Sequence, residues 1–460
     1  MSIGELAIGF LPRWIADRIN AGSLGRRLMR GAFWNLAGAG AARALRLPVP
    51  IVLARFMGPA AYGEFGIVSA SIDMCGVFAG LGLGLTATKY VAELRLKDPA
   101  RAGRMIAVTT VVAMVCGAAV ATVLLAAAPW LAAGLLAAPQ LTFPLRIGAL
   151  ALFFSAMSGA QAGALYGFEA FRVTAVLQAV VGVLDLPFML GGYFLGGLNG
   201  VLGGMAASRA TYWLLTMFAL RAEALRHGIP HLFTDWKREL PVVWQFSIPA
   251  ALVGIMVIPV NWICSALLVN QPHGYAEMGA YNAANQWFGI LIFIPSGLDA
   301  GLLPVLSERM GARDGKTSGR ILKTLFLING AILVPCGLVM SLLSPWIMRI
   351  YGAGYRDAWP TLIAVLWTAA ILGIINPIGD IIAASGRMWM GLLMNAGWAA
   401  VFIVSTLLLV HRGSLGLASS RLIAYAIHAT WTLAFAARIM RAARTEVSGH
   451  TAELSLASRE

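Results

Sequence analysis

Long apolar runs alternate with short polar segments along the whole chain. A run of about 20 residues spans the hydrocarbon core of a bilayer as an α-helix. Helix is the expected form because the lipid core contains no water to pair with backbone N–H and C=O groups. The pattern predicts twelve transmembrane helices, over residues 31–56, 62–85, 105–125, 143–166, 173–195, 198–220, 241–269, 275–303, 324–343, 360–384, 388–410 and 415–437.

A short segment at the junction of the first two predicted spans recurs in the second half of the chain. Tyr62-Gly63-Glu64-Phe65-Gly66 is similar to Tyr275-Ala276-Glu277-Met278-Gly279, and Gly103-Arg104 aligns with Gly319-Arg320. The offset is roughly 213 to 216 residues, and a weak match at such a period indicates a duplicated membrane half. We therefore expect two pseudo-twofold-related bundles of six helices each.

The duplication also predicts the domain organisation. An inner connection rich in basic residues and histidine separates the two bundles, and a polar segment follows the last span. The predicted parts are an N-terminal cytoplasmic or interfacial segment (1–30), an N-terminal lobe (31–222), a cytoplasmic linker (223–240), a C-terminal lobe (241–437) and a polar cytoplasmic tail (438–460).

Composition and charge place the chain in a membrane. Hydrophobic residues make up 59% of the chain and charged residues only 12%, whereas a soluble domain has about 25% charged residues. The net charge is +14, but the basic residues concentrate in the terminal segments and in alternate loops. This is the positive-inside pattern. It places both termini in the cytoplasm and argues against nucleic-acid binding.

No motif indicates an enzyme or a bound cofactor. The histidines are scattered without metal-ligand spacing, and no Walker A sequence occurs. The predicted outer loops are short and lack a carboxylate–histidine constellation, which argues against a membrane-bound glycan polymerase or ligase. We expect no cofactor, no metal site and no catalytic residue.

Four segments together resemble a known family. They read LARFMGPAAYGEFG (53–66), KYVAELRLKDPARAGR (89–104), LYGFEAFRVTAV (165–176) and DIIAASGRMWMGLLMNAGW (380–398). They are similar to the polysaccharide transporters of the O-antigen flippase type, within the multidrug/oligosaccharidyl-lipid/polysaccharide (MOP) exporter superfamily.

The resemblance implies a V-shaped, all-α transporter in the inner membrane. Such a protein moves an undecaprenyl-diphosphate-linked oligosaccharide from the inner to the outer leaflet by alternating access, for cell-surface polysaccharide synthesis. A polysaccharide polymerase or glycosyltransferases are the partners that it implies. A cation-coupled multidrug exporter of the same superfamily is the alternative.

Two arginines are the sharpest candidates for substrate contacts. Arg43 and Arg46 stand at i and i+3 on one helix face near the middle of the first predicted span. Arginine at that depth costs about 2.5–3.5 kcal/mol on insertion scales. We expect the pair to bind the diphosphate, because guanidinium groups bind such oxygens bidentately. The alternative is a structural ion pair with Asp73 or Asp185.

Other polar residues inside predicted spans are further candidates. Arg209 and Arg421 would join the same substrate site or serve as structural or interfacial anchors. Asp73 and Asp185 are candidate ion-coupling carboxylates. Asn282, Asn285 and Gln286 share one helix face and would either contact sugar or bridge helices.

Overall fold

The computed structural model describes residues 40, 43–229, 235–248, 256–299, 315–384 and 388–457, and these are almost entirely helical. The longer helices are α1 (Pro48–Gly80), α2 (Leu83–Leu94), α3 (Pro99–Trp130), α4 (Thr142–Gly167), α5 (Phe171–Arg226), α6 (Val257–Val269), α7 (Gly274–Asp299), α8 (Gly315–Ile350), α9 (Trp359–Ala384), α10 (Met388–Leu409) and α11 (Gly413–Ala457). The all-α prediction is confirmed.

Seven helical stretches among the described residues are long and apolar enough to cross a membrane. Three of them each cover two predicted spans: Arg43–Gly80, Phe171–Arg226 and Trp389–Arg438. The predicted spans 241–269 and 275–303 lie partly outside the described residues, and their described portions include α6 and α7. The chain is thus a multi-pass membrane protein.

Glycines interrupt each of the three long stretches between the spans predicted from the sequence. Gly58 has φ 74° and ψ 170° directly before Pro59. Gly197 (φ 55°, ψ −133°) breaks α5, and Gly413 (φ 65°, ψ −141°) begins α11 with almost the same conformation. A side chain disfavours positive φ, so glycine is the residue for such turns. The matching conformations agree with the internal duplication.

The polar segment 89–104, between the second and third predicted spans, is largely helical. Its first part belongs to α2, whose buried residues Leu83, Ala87 and Val91 recur at helical spacing and leave the charges on the other face. After the four-residue turn 95–98, Asp98 caps α3 by accepting a hydrogen bond from Arg101 N at 2.9 Å. The span predictions did not take account of this short amphipathic helix.

The chain forms two compact units. The first comprises Met1–Val49, Ser71–Gly134 and Ala138–Gly254, and the second Pro50–Ala70, Leu135–Ala137 and Ile255–Glu460. Residues 50–70, which we had assigned to the N-terminal lobe, therefore make their contacts with the second unit. The predicted division into lobes 31–222 and 241–437 stays a prediction.

Aromatic side chains hold residues 50–70 in the second unit. Tyr355 Oη donates to the carbonyl oxygen of Ala54 at 3.1 Å, and the Tyr355 ring centroid lies 6.4 Å from that of the buried Tyr62. Tyr351 Oη accepts a hydrogen bond from Trp287 Nε1 at 3.1 Å. Burial raises the pKa of Tyr351 to about 12, so this phenol stays neutral at physiological pH.

An ion-pair network ties the segment before residue 241 to the first unit. The buried Glu239 carboxylate accepts from Arg101 Nε at 3.1 Å and from Arg104 Nε at 3.4 Å. Both arginines lie at the start of α3, beside a core that α2 to α5 form around Met105, Ile106 and other buried apolar residues.

Candidate functional site

A polar cluster in the first unit is organised around Arg46. Its Nε donates to Asp185 Oδ2 at 2.9 Å, and the other oxygen of Asp185, Oδ1, accepts from Ser208 Oγ. The Arg46 side chain is 45% exposed and that of Asp185 is 19% exposed. Arg46 therefore has the carboxylate partner that the sequence offered as one of two alternatives, yet its side chain remains partly exposed.

Arg209 and Asp73 form a second pair of opposite charges in this unit. The two groups interact electrostatically, and both side chains are exposed. Tyr212, on the same helix as Arg209, lies near both Arg46 and Arg209. The two pairs of opposite charges therefore lie in one region of the first unit.

Arg43 lies one helical turn before Arg46 and is exposed. Arg43 and Arg46 are therefore two exposed arginines of the first unit, and both lie just before Pro48 and Pro50. These arginines, together with Arg209, form the cationic part of the cluster, and Asp73 and Asp185 form its anionic part.

A separate cluster surrounds Arg421 in the second unit. Arg421 is only 7% exposed. Its Nη1 donates to Asn285 Oδ1 at 2.8 Å and to Tyr281 Oη at 3.3 Å. The guanidinium carbon lies 4.2 Å from the centroid of the Phe288 ring, a cation–π distance. A surface anchor would leave the guanidinium in water, so the buried position contradicts the anchor alternative for this residue.

The three predicted amide residues of α7 point to different neighbours. Asn285 meets Arg421 as described, whereas Gln286 lies near the buried Tyr62. Asn282 packs against Gly66, where an added Cβ would clash with its amide, and its buried Nδ2 has no hydrogen-bond partner in the described part of the chain. Shared helical spacing therefore did not place all three in one cluster.

Several residues of the two clusters had no distinguishing signal in the sequence. Ser208 and Tyr212 in the first unit, and Tyr281, Phe288 and Tyr425 in the second, stand in apolar spans where serine and aromatic residues are common. Helical spacing from the two arginines could have indicated three of them. Ser208 and Tyr212 flank Arg209, and Tyr425 lies one turn after Arg421.

Both clusters are suited to binding an anion. Guanidinium groups present several donors in a planar fork that matches phosphate and carboxylate oxygens. In the first unit Arg46 and Arg209 already face carboxylates, so an incoming anion would exchange with them. Among the described residues, no group of three or more His, Cys, Asp or Glu could hold a metal ion.

Comparison with known sequences gives two family matches. The sequence model described as "Polysaccharide biosynthesis protein" matches residues 28–310, and the MatE model matches residues 249–408. The EPS I polysaccharide export inner membrane protein EpsE of Ralstonia nicotianae is 25% identical over 401 residues, which cover 84% of this chain and 88% of that protein. The Lipid III flippase of Escherichia coli K12 is 24% identical over 291 residues, which cover 62% of this chain and 69% of that protein.

Solved structures share the fold. An inward-facing multidrug resistance MATE family transporter of the MOP superfamily superimposes with a TM-score of 0.72 at 15% identity, over 88% of this chain and 99% of that one. Because the first family model covers more than half of the chain, the protein belongs to the polysaccharide biosynthesis protein family.

Proposed function

We propose that the protein moves an undecaprenyl-diphosphate-linked oligosaccharide from the inner to the outer leaflet of the cytoplasmic membrane by alternating access. The product would serve cell-surface polysaccharide synthesis. Two relatives support this function by their names, one a polysaccharide export inner membrane protein and the other a lipid III flippase. In this arrangement both termini lie in the cytoplasm, and a polysaccharide polymerase or glycosyltransferases supply or consume the substrate.

The observation that carries the proposal is the exposure of Arg46. It lies in a helical stretch of membrane-spanning length and has a carboxylate partner, yet 45% of its side chain is exposed. An exposed guanidinium keeps N–H donors available, and these can bind a phosphoryl oxygen.

The geometry suggests how binding and release alternate. Without substrate, Asp185 holds Arg46 and Asp73 balances Arg209. A diphosphate would replace these carboxylates on the arginines, with Arg43 adding charge from the preceding turn. A proton or cation taken up by the displaced Asp73 or Asp185 would balance the exchange, which gives these two residues their coupling role. Asn282, Asn285 and Gln286 would contact the glycan, and Arg421 the anionic part of the substrate.

The proposal is tested by deleting the gene in its host and measuring lipid-linked glycan on each face of the inner membrane. We expect accumulation on the inner face and restoration by the wild-type protein. Arg46→Gln should restore transport at a rate lower by about tenfold or more, because a charge-assisted contact to the diphosphate is lost. Arg55→Gln, which removes an exposed arginine from the same helix, is the matched control and should restore transport fully.

A multidrug exporter is the second candidate. The MatE match over residues 249–408 and the two carboxylates of the first unit favour it, because carboxylates can bind a cationic drug. Unchanged glycan on both faces of the deletion strain, combined with altered resistance to cationic drugs, would replace the flippase proposal with this one.

A further inference from the structure

Arg421 is a buried cation whose observed partners are all neutral. Asn285 and Tyr281 accept from its Nη1, and Phe288 lies under the guanidinium plane. Among the residues that the structure describes, no carboxylate pairs with it, and its buried Nε has no hydrogen-bond partner. A buried charge without a counter-charge is strongly unfavourable, so its retention calls for a physical reason.

A second buried N–H donor, that of Trp398, lies in the same region as Arg421. Trp398 is 2% exposed, and its Nε1 has no partner within the described part of the chain. Its ring centroid is 5.2 Å from that of Tyr425, and the Tyr425 ring centroid is 5.9 Å from the guanidinium carbon of Arg421. Two buried N–H donors therefore adjoin one tyrosine. A ligand that satisfies both must offer hydrogen-bond acceptors, and one that balances Arg421 must be negatively charged.

The internal duplication shows what differs between the two units. Ser208-Arg209 recurs as Ser420-Arg421, at roughly the offset of the repeated segments. At the offset of the first repeated segment, Asp73 corresponds to Gln286. The repeat has thus kept the arginine in the second unit and replaced Asp73 by an uncharged amide. Among the residues that the structure describes, Arg46 and Arg209 face carboxylates, whereas Arg421 does not.

We infer that Arg421, with Trp398 and Asn285, forms a binding site for a phosphoryl oxyanion in the second unit. Asn285 and Tyr281 hold Nη1 and so orient the guanidinium fork, while Nε–H and the indole N–H of Trp398 donate to the bound oxygens. Phe288 and Tyr425 exclude water, which strengthens the charged contact. That the oxyanion is the diphosphate of the transported lipid rests on the proposed function; a soluble phosphate is the other source of the same chemistry.

The test uses the full-length protein in nanodiscs and two probes, inorganic pyrophosphate and farnesyl diphosphate, with binding measured by calorimetry. Arg421→Gln should weaken binding by at least about tenfold, and Trp398→Phe, which keeps the ring and removes the donor, by several-fold. Arg349→Gln makes the same charge change at an exposed position of the second unit and should bind like wild type.

A thermal melt separates this role from a structural one. Because Arg421 has no counter-charge, Arg421→Gln should leave the melting temperature of the ligand-free protein unchanged or raise it, while it abolishes the rise caused by pyrophosphate. A lower melting temperature with unchanged binding, or no binding of either probe to wild type, would overturn the inference.

Preference for farnesyl diphosphate identifies the lipid as the source, and equal binding of pyrophosphate identifies a free anion. Arginine-dependent binding together with normal glycan in the deletion strain would overturn the proposed function alone.

Discussion

The backbone of Gly63 lies directly against the backbone of Gly279 in the second unit. A Cβ added to Gly63 would collide with the Tyr275 carbonyl and lie 2.9 Å from Gly279 N, and one added to Gly279 would collide with the Pro59 carbonyl and lie 3.2 Å from Gly63 N. The two glycines come from the two copies of the repeated segment. The duplicated segments therefore pack against each other within one unit, and the close approach requires the absence of side chains.

Gly279→Ala should destabilise the protein by about 1–3 kcal/mol, because the neighbouring atoms belong to the backbone and cannot move aside cheaply. The matched control is Gly289→Ala on the same helix, where no atom lies within 4 Å of the added Cβ. It should be neutral or slightly stabilising through helix propensity. The check is to compare the melting temperatures of the two purified variants. Equal melting temperatures would contradict the packing argument.

Removing the Arg46–Asp185 pair should affect transport much more than it affects stability. The variant Arg46→Gln/Asp185→Asn removes both charges and keeps groups able to form a hydrogen bond. Since the pair is partly exposed, we expect the free energy of unfolding to change by only about 0.5 kcal/mol. Flipping of lipid-linked glycan should nevertheless fall sharply in a complementation assay. Normal flipping in this variant would contradict a role of the pair in transport.

Glu239 should hold the segment before residue 241 in place. Glu239→Gln removes the counter-charge of Arg101 and Arg104 and should cost about 1 kcal/mol after solvent screening. It should also increase trypsin cleavage after Lys237 and Arg238. Asp235→Asn breaks only the exposed pair with Arg238 and serves as the control, with no expected change in stability. Similar proteolysis of both variants would show that Glu239 does not hold the segment.

Glu277 caps the first turn of α11. Its Oε2 accepts from Ser414 N at 2.7 Å, and a carboxylate at a helix N-terminus is favoured by the helix dipole. Glu277→Ala should destabilise the second unit by about 1 kcal/mol, whereas Glu277→Gln, which keeps an acceptor, should lose less. Melting temperatures that fail to follow the order wild type, Gln, Ala would contradict the capping role.

The sequence by itself determined that this chain is helical and crosses a membrane many times. Apolar runs of membrane-spanning length can only be helices in lipid. It also identified most of the charged residues of the two clusters, because arginine and aspartate are costly in such spans.

Only the tertiary structure decided which of these residues meet. Arg46 and Asp185 are 139 residues apart, and their contact depends on how α5 packs beside the first helix. The same holds for the burial of Arg421 among neutral partners and for the packing of residues 50–70 with the second unit. Hydrophobic periodicity reports which face of a helix is apolar, but it carries no information about the neighbour that this face contacts.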